Sequence, residues 1–409
     1  MPVAYKTATL DNGLTVVGEI DPDAVSAACG FFVRTGARDE SPDVMGVSHF
    51  LEHMMFKGTD TRTAEEVNTD FDNLGADHNA FTSSELTCIY ASVLPERLPD
   101  ALDILADMMR PALRTEDFDT EKGVILEEIA MYKDSPFWVL YERAMEEYYA
   151  NHPLGHRVLG TDDTIMQLQR DQMDAYFTDR YSADNTTLAV AGNADFDAIV
   201  DMARERCGHW NTTDASRNTD APAPHGGALH MTSEKFDRAY CLMLAPGPAM
   251  DDDSRFAATM LARVLGDPGN SRLHWALIET GIAEEAAAAF GERDGCGDFF
   301  VYASGDPDRF DQIQDIMDRE IDGLIASLEE DDLERLRNIA ATRATLEGER
   351  PKGRMIRLGT LHSYPGSYMP LEEELAKIQA VTLDDMRAVW EAFPLEPRLV
   401  STLTPAGDG

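Results

Sequence analysis

The segment Gly46-Val-Ser-His49-Phe-Leu-Glu52-His53-Met-Met-Phe-Lys-Gly-Thr59 carries the most informative pattern in the chain, an H-x-x-E-H motif. The spacing is typical of a helix, on which positions i, i+3 and i+4 share one face. His49 and His53 are therefore predicted to point the same way, one turn apart, with Glu52 beside them. Two neutral imidazoles separated by a turn suit two corners of a zinc tetrahedron, and the glutamate can reach a water held by the metal.

A catalytic zinc needs a third protein ligand, and a carboxylate is the usual partner of two histidines. The segment Glu121-Lys-Gly-Val-Ile-Leu-Glu127-Glu128-Ile-Ala-Met131 supplies candidates. Glu121 and Glu128 lie seven residues apart, close to two helical turns, whereas Glu127 is rotated by roughly 100° from Glu128. This stripe predicts Glu128 as a ligand and Glu121 as a carboxylate that orients an imidazole.

An alternative for both segments is a pair of ordinary polar helix faces, whose histidines pair with surface carboxylates. A chance H-x-x-E-H motif in a chain with ten histidines should occur in on the order of one protein in a hundred, so the motif alone leaves this alternative open.

Composition narrows the classes of function. A length of 409 residues predicts two or more domains, and a formal net charge of −40 excludes a nucleic-acid footprint. The acidity either attracts cationic peptides or forms a solvated surface suited to a salty cytoplasm, and the spread of acidic residues along the whole chain favours the second. Five scattered cysteines without a C-x-x-C pair, and no long apolar run or signal-like N-terminus, predict a cytoplasmic protein outside the membrane.

Turn-rich composition divides the chain into two halves. Residues 211–227 are mostly Pro, Gly, Ser, Thr, Asn and Asp, which predicts a linker between a motif-bearing half, 1–210, and a second, metal-free half, 228–409. Periodicity predicts first-half strands at 8–17 (broken by a turn at 11–13), 24–35, 81–94 and 186–192, and helices at 63–74, 98–109 and 117–133. Second-half strands fall at 237–245 and 298–304, and helices at 254–265, 307–325 and 331–347. The predicted fold class is α+β, with two similar halves. In each half, helices cover one face of a mostly antiparallel sheet.

These motifs resemble the pitrilysin (M16) family of zinc metallopeptidases, the inverzincins, whose signature is H-x-x-E-H. The chain looks most like the bacterial type related to the beta subunit of the mitochondrial processing peptidase, so that each chain would form one half of an M16/LuxS-like clamshell. The resemblance spans nearly the whole chain and rests on these stretches: Leu10-Asp-Asn-Gly-Leu-Thr-Val-Val17, the histidine motif, Asn79-Ala-Phe-Thr-Ser83, Glu121-x-x-Val-Ile-x-x-Glu128-Ile129, His152-Pro-Leu-Gly155 with Gly160-Thr161, Tyr181-Ser-Ala-Asp-Asn185, Ser271-Arg-Leu273, and Leu371-Glu-Glu-Glu-Leu375 through Val381-Thr-Leu-Asp-Asp-Met386.

Residue by residue, the resemblance implies one Zn²⁺ per chain on His49, His53 and Glu128, with Glu52 as the base and Glu121 behind a ligand. It also implies that Asn79, Ala80 and Phe81 form an exposed sheet edge that takes the substrate as an added strand. Main-chain pairing of this kind reads an extended peptide without demanding a particular sequence. The alternative for Asn79 is a simple turn residue at the start of a strand, and the neighbouring His78 is predicted to be an exposed loop side chain.

One departure from the family pattern affects the expected partners. Relatives that act alone or as homodimers usually carry an Arg and a Tyr, seven residues apart, that help to hold the substrate carbonyl. Here Ile278 takes the arginine position, and Glu284 or Glu285 falls at or next to the tyrosine position. We therefore expect a homodimer or heterodimer, and specifically the zinc-bearing subunit of a heteromer whose second M16-type subunit supplies the pair.

The sequence thus predicts a zinc-dependent endopeptidase in which Glu52 activates a zinc-bound water to hydrolyse unfolded peptides. An alternative is a non-catalytic structural or assembly subunit of an M16-type complex, which the missing Arg and Tyr permit. A small-molecule hydrolase is disfavoured, since residues 79–81 match a peptide-strand edge.

Overall fold

The computed structural model describes residues 3–223, 225–364 and 368–406. The chain first forms β1 (Ala4–Thr9), β2 (Thr15–Ile20), β3 (Ala27–Val33), α1 (Val47–Met55), α2 (Ala64–Leu74), β4 (Asp77–Thr82), β5 (Thr87–Val93), α3 (Leu98–Met108), α4 (Thr115–Tyr132), α5 (Pro136–Tyr149), α6 (Asp162–Gln167), α7 (Arg170–Arg180), β6 (Thr186–Gly192) and α8 (Phe196–Cys207). It continues with β7 (Gly227–Ser233), β8 (Ala239–Gly247), α9 (Arg255–Gly266), β9 (Glu285–Arg293), β10 (Cys296–Gly305), α10 (Phe310–Asp322), α11 (Glu330–Gly348), α12 (Pro351–His362), α13 (Leu371–Ala380), α14 (Leu383–Ala392) and β11 (Leu399–Pro405).

Contacts within the chain define two compact units. The first comprises Met1–Ala130, His156–Asn218 and Thr345–Met369, and the second comprises Met131–Gly155, Thr219–Ala344 and Pro370–Gly409. The halves expected from the sequence, 1–210 and 228–409, follow chain order, whereas the units exchange two segments. Helix α5 thereby belongs to the second unit, and helix α12 belongs to the first.

The first unit contains a six-stranded sheet in the order β1-β2-β6-β3-β5-β4, in which β2 and β6 run parallel and the other neighbours antiparallel. The β1–β2 hairpin pairs Thr9 with Thr15 around the predicted turn. The single strand predicted at 81–94 is wrong, because two antiparallel strands, β4 and β5, meet at a turn there. The turn is closed by Ser83, whose N–H donates to the Leu86 carbonyl and whose hydroxyl accepts from the Leu86 N–H.

The strand β3 is packed on both faces. Phe32 belongs to a buried cluster with Met355 of α12. Phe31, the preceding residue, points to the opposite face, where its ring centroid lies 5.5 Å from that of Trp210. Helix α12 approaches the sheet closely at Gly359, where an added Cβ atom would lie 2.2 Å from the Phe32 ring. The exchanged helix therefore covers the face of the sheet opposite the one that carries Trp210.

The second unit contains a five-stranded sheet in the order β7-β11-β8-β10-β9, with β7 and β11 parallel and the other neighbours antiparallel. This order and these directions repeat β2-β6-β3-β5-β4 of the first sheet. The exchanged helix α5 packs Leu140 and Ala144 into a cluster with Leu242 and Leu403 of this sheet. The predicted fold class, two similar α+β halves with mostly antiparallel sheets, is confirmed.

The segment predicted as a linker, 211–227, is divided between the two units after Asn218, and its first part packs within the first unit. Residues 211–223 and 225–226 form neither helix nor strand. Even so, the side chain of Arg217 is only 2 % exposed, and its guanidinium pairs with both carboxylate oxygens of Asp39 at 3.0 and 2.7 Å. It also donates to the carbonyl of Glu85. Arg217 therefore joins the loop that precedes α1 to the turn that follows β4.

Across the three described ranges of the chain, every helix is too short or too polar to cross a membrane.

Candidate metal centre

Helix α1, which carries the H-x-x-E-H motif, starts at a glycine that other residues could not replace without strain. Gly46 has a φ of 96°, in the left-handed region, and an added Cβ atom would lie 2.7 Å from the Leu159 carbonyl oxygen. The carboxylate of Glu40 accepts hydrogen bonds from the N–H groups of Gly46 and Ser48 at 2.7 and 2.8 Å. Glu40 is buried, and burial raises its pKa to about 7 against these two donors. This arrangement fixes the start of α1.

The two histidines of α1 meet a glutamate from α4. The rings of His49 and His53 lie 4.7 Å apart, centroid to centroid. Their Nε2 atoms lie 3.8 and 3.6 Å from the Oε2 atom of Glu128. Each of the three side chains offers one ligand atom, and these atoms lie within 4.8 Å of one another. Among the described residues, these three form the one group of His, Cys, Asp or Glu side chains that is close enough to hold a metal ion.

The geometry and the chemistry of these donors fit zinc. The Nε2–Oε2 distances are too long for hydrogen bonds, but they approach the edge of about 3.3 Å expected between ligands of a tetrahedral ion with bonds of about 2.0–2.1 Å. Burial, followed by the neighbouring His53, lowers the pKa of His49 to about 4. His49 is therefore neutral at neutral pH and can donate its nitrogen lone pair. Three side-chain atoms that can each offer a lone pair, and that converge without hydrogen bonds between them, suit a cation.

The buried carboxylate of Glu121 lies behind His53. Its Oε2 atom is 3.1 Å from Nδ1 of His53, and its Oε1 atom is 2.6 Å from the ammonium of Lys57. If Nδ1 carries the hydrogen that Glu121 accepts, the lone pair of His53 is on Nε2, the nitrogen that faces Glu128. In the described part of the chain, the Nδ1 atom of His49 is buried without a hydrogen-bond partner. Lys57 was missed from the sequence, although it lies one helical turn beyond His53 in the same motif.

The side chain of the candidate base, Glu52, extends from α1 toward β4, the strand at one edge of the first sheet. Its Oε2 atom accepts a hydrogen bond of 2.6 Å from the hydroxyl of Thr82, the final residue of β4. Burial raises the pKa of Glu52, and this hydrogen bond opposes the shift. Thr82 was also missed as a functional residue, because a threonine at the end of a strand carries no chemical signal in the sequence.

The residues expected to bind substrate lie on the sheet edge. Asn79, Ala80 and Phe81 belong to β4, the terminal strand of its sheet, which pairs with β5 alone among the described strands. The side-chain oxygen of Asn79 accepts from the N–H of Ala80 at 2.9 Å. His78 is not in a loop as predicted, since it lies within β4 and stacks on Phe71 with centroids 4.0 Å apart.

The positions of the missing Arg and Tyr lie in the second unit. Ile278 ends a π-helical turn, His274–Ile278. Glu285 begins β9, and its carboxylate accepts hydrogen bonds from the hydroxyls of Tyr302 and Ser304, both at 3.0 Å. Neither position offers a side-chain donor, because isoleucine has none and the Glu285 carboxylate acts as an acceptor.

The chain is similar to known proteins in both sequence and fold. Residues 15–162 match the family "Insulinase (Peptidase family M16)", and residues 167–340 match the "Peptidase M16 inactive domain". A protein of Streptomyces coelicolor named an uncharacterized zinc protease is 33 % identical over 94 % of this chain and 86 % of its own length. The uncharacterized zinc protease YmxG of Bacillus subtilis is 30 % identical over 98 % of this chain and 99 % of its own. The crystal structure of a protease from Helicobacter pylori, 18 % identical, has the same fold, with a TM-score of 0.92 over 99 % of this chain and 100 % of that one. The chain therefore belongs to the M16 peptidase family.

Proposed function

We propose that the chain is a zinc-dependent endopeptidase that hydrolyses unfolded peptides. His49, His53 and Glu128 hold one Zn²⁺, and Glu52 acts as the general base. The observation that carries the proposal is the convergence of two Nε2 atoms from α1 and one Oε2 atom from α4, at 3.8 and 3.6 Å, with Glu52 on the same helix. Relatives named zinc proteases support the same chemistry.

When bound, zinc supplies Lewis-acid polarisation of the scissile carbonyl and makes water easier to deprotonate near neutral pH. The carboxylate of Glu52 accepts the proton of the attacking water and then delivers it to the leaving amine. Its raised pKa brings the carboxyl closer to the operating pH, where a group can both take and return a proton. Glu121 holds the ring of His53 in the orientation that binds the metal.

The substrate proposal rests on the edge of β4. Asn79, Ala80 and Phe81 present main-chain groups on the side of the strand that has no neighbour among the described strands. An extended peptide can add to such an edge through main-chain hydrogen bonds, whereas most segments inside a folded protein already use those main-chain groups. A general endopeptidase of unfolded peptides follows from this mode of recognition.

We further propose a dimer of M16-type subunits. Neither Ile278 nor Glu285 can donate a hydrogen bond to the oxyanion that develops on the substrate. A second subunit that supplies an Arg and a Tyr would complete the site. Purification of the native complex should then yield a second chain of the same family, whereas a homomer with full peptidase rates would refute this part of the proposal.

A cytoplasmic location belongs to the same proposal. All five cysteines are thiols rather than halves of disulfides, and four of them are buried, as expected of a protein kept in a reducing compartment.

The rival function is a non-catalytic assembly subunit. A scaffold does not require a metal-binding triad, a base on the same helix and a carboxylate behind one ligand, so this group of side chains favours the peptidase. The test is a Glu52→Gln variant assayed on a quenched unstructured peptide, with Glu127→Gln on α4 as the matched control. We expect Glu52→Gln to keep its zinc and lose about 10²–10⁴-fold in kcat, while the control keeps both. Full zinc content with no wild-type turnover, alone or with the second subunit, would favour the scaffold.

A further inference from the structure

The strand that presents the sheet edge contacts two helices, α2 and the helix that carries the base, α1. His78, Ala80 and Thr82 alternate with Asn79 and Phe81 along β4 and therefore share one face of the strand. On this face, His78 stacks on Phe71 of α2 at 4.0 Å. Four residues further on, Thr82 donates to Glu52 of α1 at 2.6 Å.

The hydrogen bond from Thr82 restricts one oxygen of the Glu52 carboxylate. A glutamate side chain has three rotatable bonds, and fixing it costs up to about 2 kcal/mol of conformational entropy. In the described part of the chain, the Thr82 hydroxyl is the single hydrogen-bond donor to the Glu52 carboxylate, and it occupies Oε2. The other oxygen, Oε1, remains able to accept a proton. A fixed Oε2 therefore restricts the positions that Oε1 can take.

The position of Thr82 links this constraint to the edge of β4. Thr82 directly follows Asn79, Ala80 and Phe81 in the same strand, and its neighbour across the hairpin is Thr87 of β5. A peptide that pairs with the outer edge of β4 is held in register with the backbone that carries the Thr82 hydroxyl. The distance from the docked peptide to the base is then determined by one strand and one hydrogen bond.

We propose that Thr82 is a positioning residue for the peptidase reaction, whose hydroxyl holds Glu52 in place relative to a peptide docked on β4. This inference rests on the proposed function, and it adds a residue that does not contact the metal. Misplacement of a catalytic group by about 1 Å can lower a rate by about 10²-fold. Loss of the hydroxyl should therefore lower kcat and leave peptide binding intact.

The experiment compares Thr82→Val, which keeps the shape and removes the donor, with Thr82→Ser, which keeps the donor. Thr9→Val on β1, the exposed strand at the opposite edge of the same sheet, is the matched control. The readouts are kcat and KM on the quenched unstructured peptide, the zinc-to-protein ratio and the unfolding midpoint. We expect Thr82→Val to lose about 10–100-fold in kcat, with KM within about twofold and with zinc content and midpoint unchanged. Thr82→Ser should recover most of the rate, and Thr9→Val should match wild type.

Three results would overturn the inference: wild-type kcat in Thr82→Val, a parallel loss of zinc or of folding, or a Thr82→Ser enzyme as slow as Thr82→Val. Each of these leaves the proposed function standing, provided that the wild-type chain cleaves the peptide. A wild type with full zinc content that stays inactive both alone and with the second subunit would instead count against the proposed function itself.

Discussion

Nδ1 of His53 lies 3.1 Å from the carboxylate of Glu121, which is itself only 3 % exposed and pairs with Lys57 through its other oxygen. The candidate metal centre therefore includes Glu121 and Lys57 as well as the three side chains that could bind the ion. A buried carboxylate in this position fixes the tautomer and the plane of the imidazole, and it raises the basicity of the nitrogen that faces the metal.

Replacement of Glu121 by Gln should weaken zinc binding by about 10–100-fold without changing the fold. The amide keeps the shape of the side chain but removes the charge that His53 and Lys57 contact. A competition titration against a zinc chelator measures the change directly. Glu127→Gln, an exposed change on the same helix, should bind zinc like wild type. Equal zinc affinities for the two variants would show that Glu121 does not support the site.

The buried pair of Arg217 and Asp39 should contribute strongly to folding. Removal of Arg217 leaves the buried carboxylate of Asp39 with a longer contact to Arg180, at 3.9 Å, so Arg217→Met should lower the free energy of unfolding by up to about 3–5 kcal/mol. Urea unfolding of the purified chain measures this. The control is Arg204→Met, which removes an exposed pair with Asp201 and should change little. A double variant, Arg217→Met with Asp39→Asn, should recover part of the loss, and no recovery would argue against the pair as the cause.

Two helical glycines should respond in opposite ways to replacement by alanine: Gly359 of α12, which packs against the first sheet, and Gly123 of α4, which has open space beside it. Gly359→Ala would place a methyl group 2.2 Å from the Phe32 ring and should destabilise the chain by about 1–3 kcal/mol. Gly123 lies in α4 with no atom within 4 Å of an added Cβ, so Gly123→Ala should stabilise by about 0.5–1 kcal/mol. Thermal unfolding of both variants tests the exchange of α12, and a harmless Gly359→Ala would contradict it.

The buried carboxyl of Glu40 should make folding depend on pH. Its pKa is raised from 4.5 to about 7, so the native state holds a proton that the unfolded chain has already lost. The stability due to this group is fully present below pH 4.5 and is lost as the pH rises through 7, by up to about 3 kcal/mol. The free energy of unfolding of the zinc-free protein should therefore fall more steeply between pH 4.5 and 8 in wild type than in Glu40→Gln. Parallel pH profiles would show that folding does not raise the pKa of Glu40.

Local pattern was enough to predict much of the candidate site. The i, i+3, i+4 spacing placed His49, Glu52 and His53 on one helix, and the two-turn spacing of Glu121 and Glu128 placed both on one stripe of α4. The bounds of β6, 186–192, were also predicted, as a short buried strand. These features depend only on residues close in the sequence, which is why they could be read without a structure.

The features that the sequence did not predict depend on distant residues. Helical period shows that α12 has an apolar face but not which sheet that face covers. The composition around Arg217 is that of a linker, and its buried partner, Asp39, lies 178 residues away. The turn at Ser83 lacks Gly and Pro, so the hairpin of β4 and β5 was taken for one strand. Thr82 acquires its role only through the fold that brings it to Glu52.

The central claim, that His49, His53 and Glu128 bind one zinc ion, is tested most directly by anomalous diffraction at the zinc absorption edge from crystals of the protein as purified. We expect one strong anomalous peak, with Nε2 of both histidines and a carboxylate oxygen of Glu128 within about 2.0–2.2 Å of it. A peak elsewhere, or no peak in zinc-supplemented crystals with the Glu128 side chain turned away from the histidines, would contradict the claim.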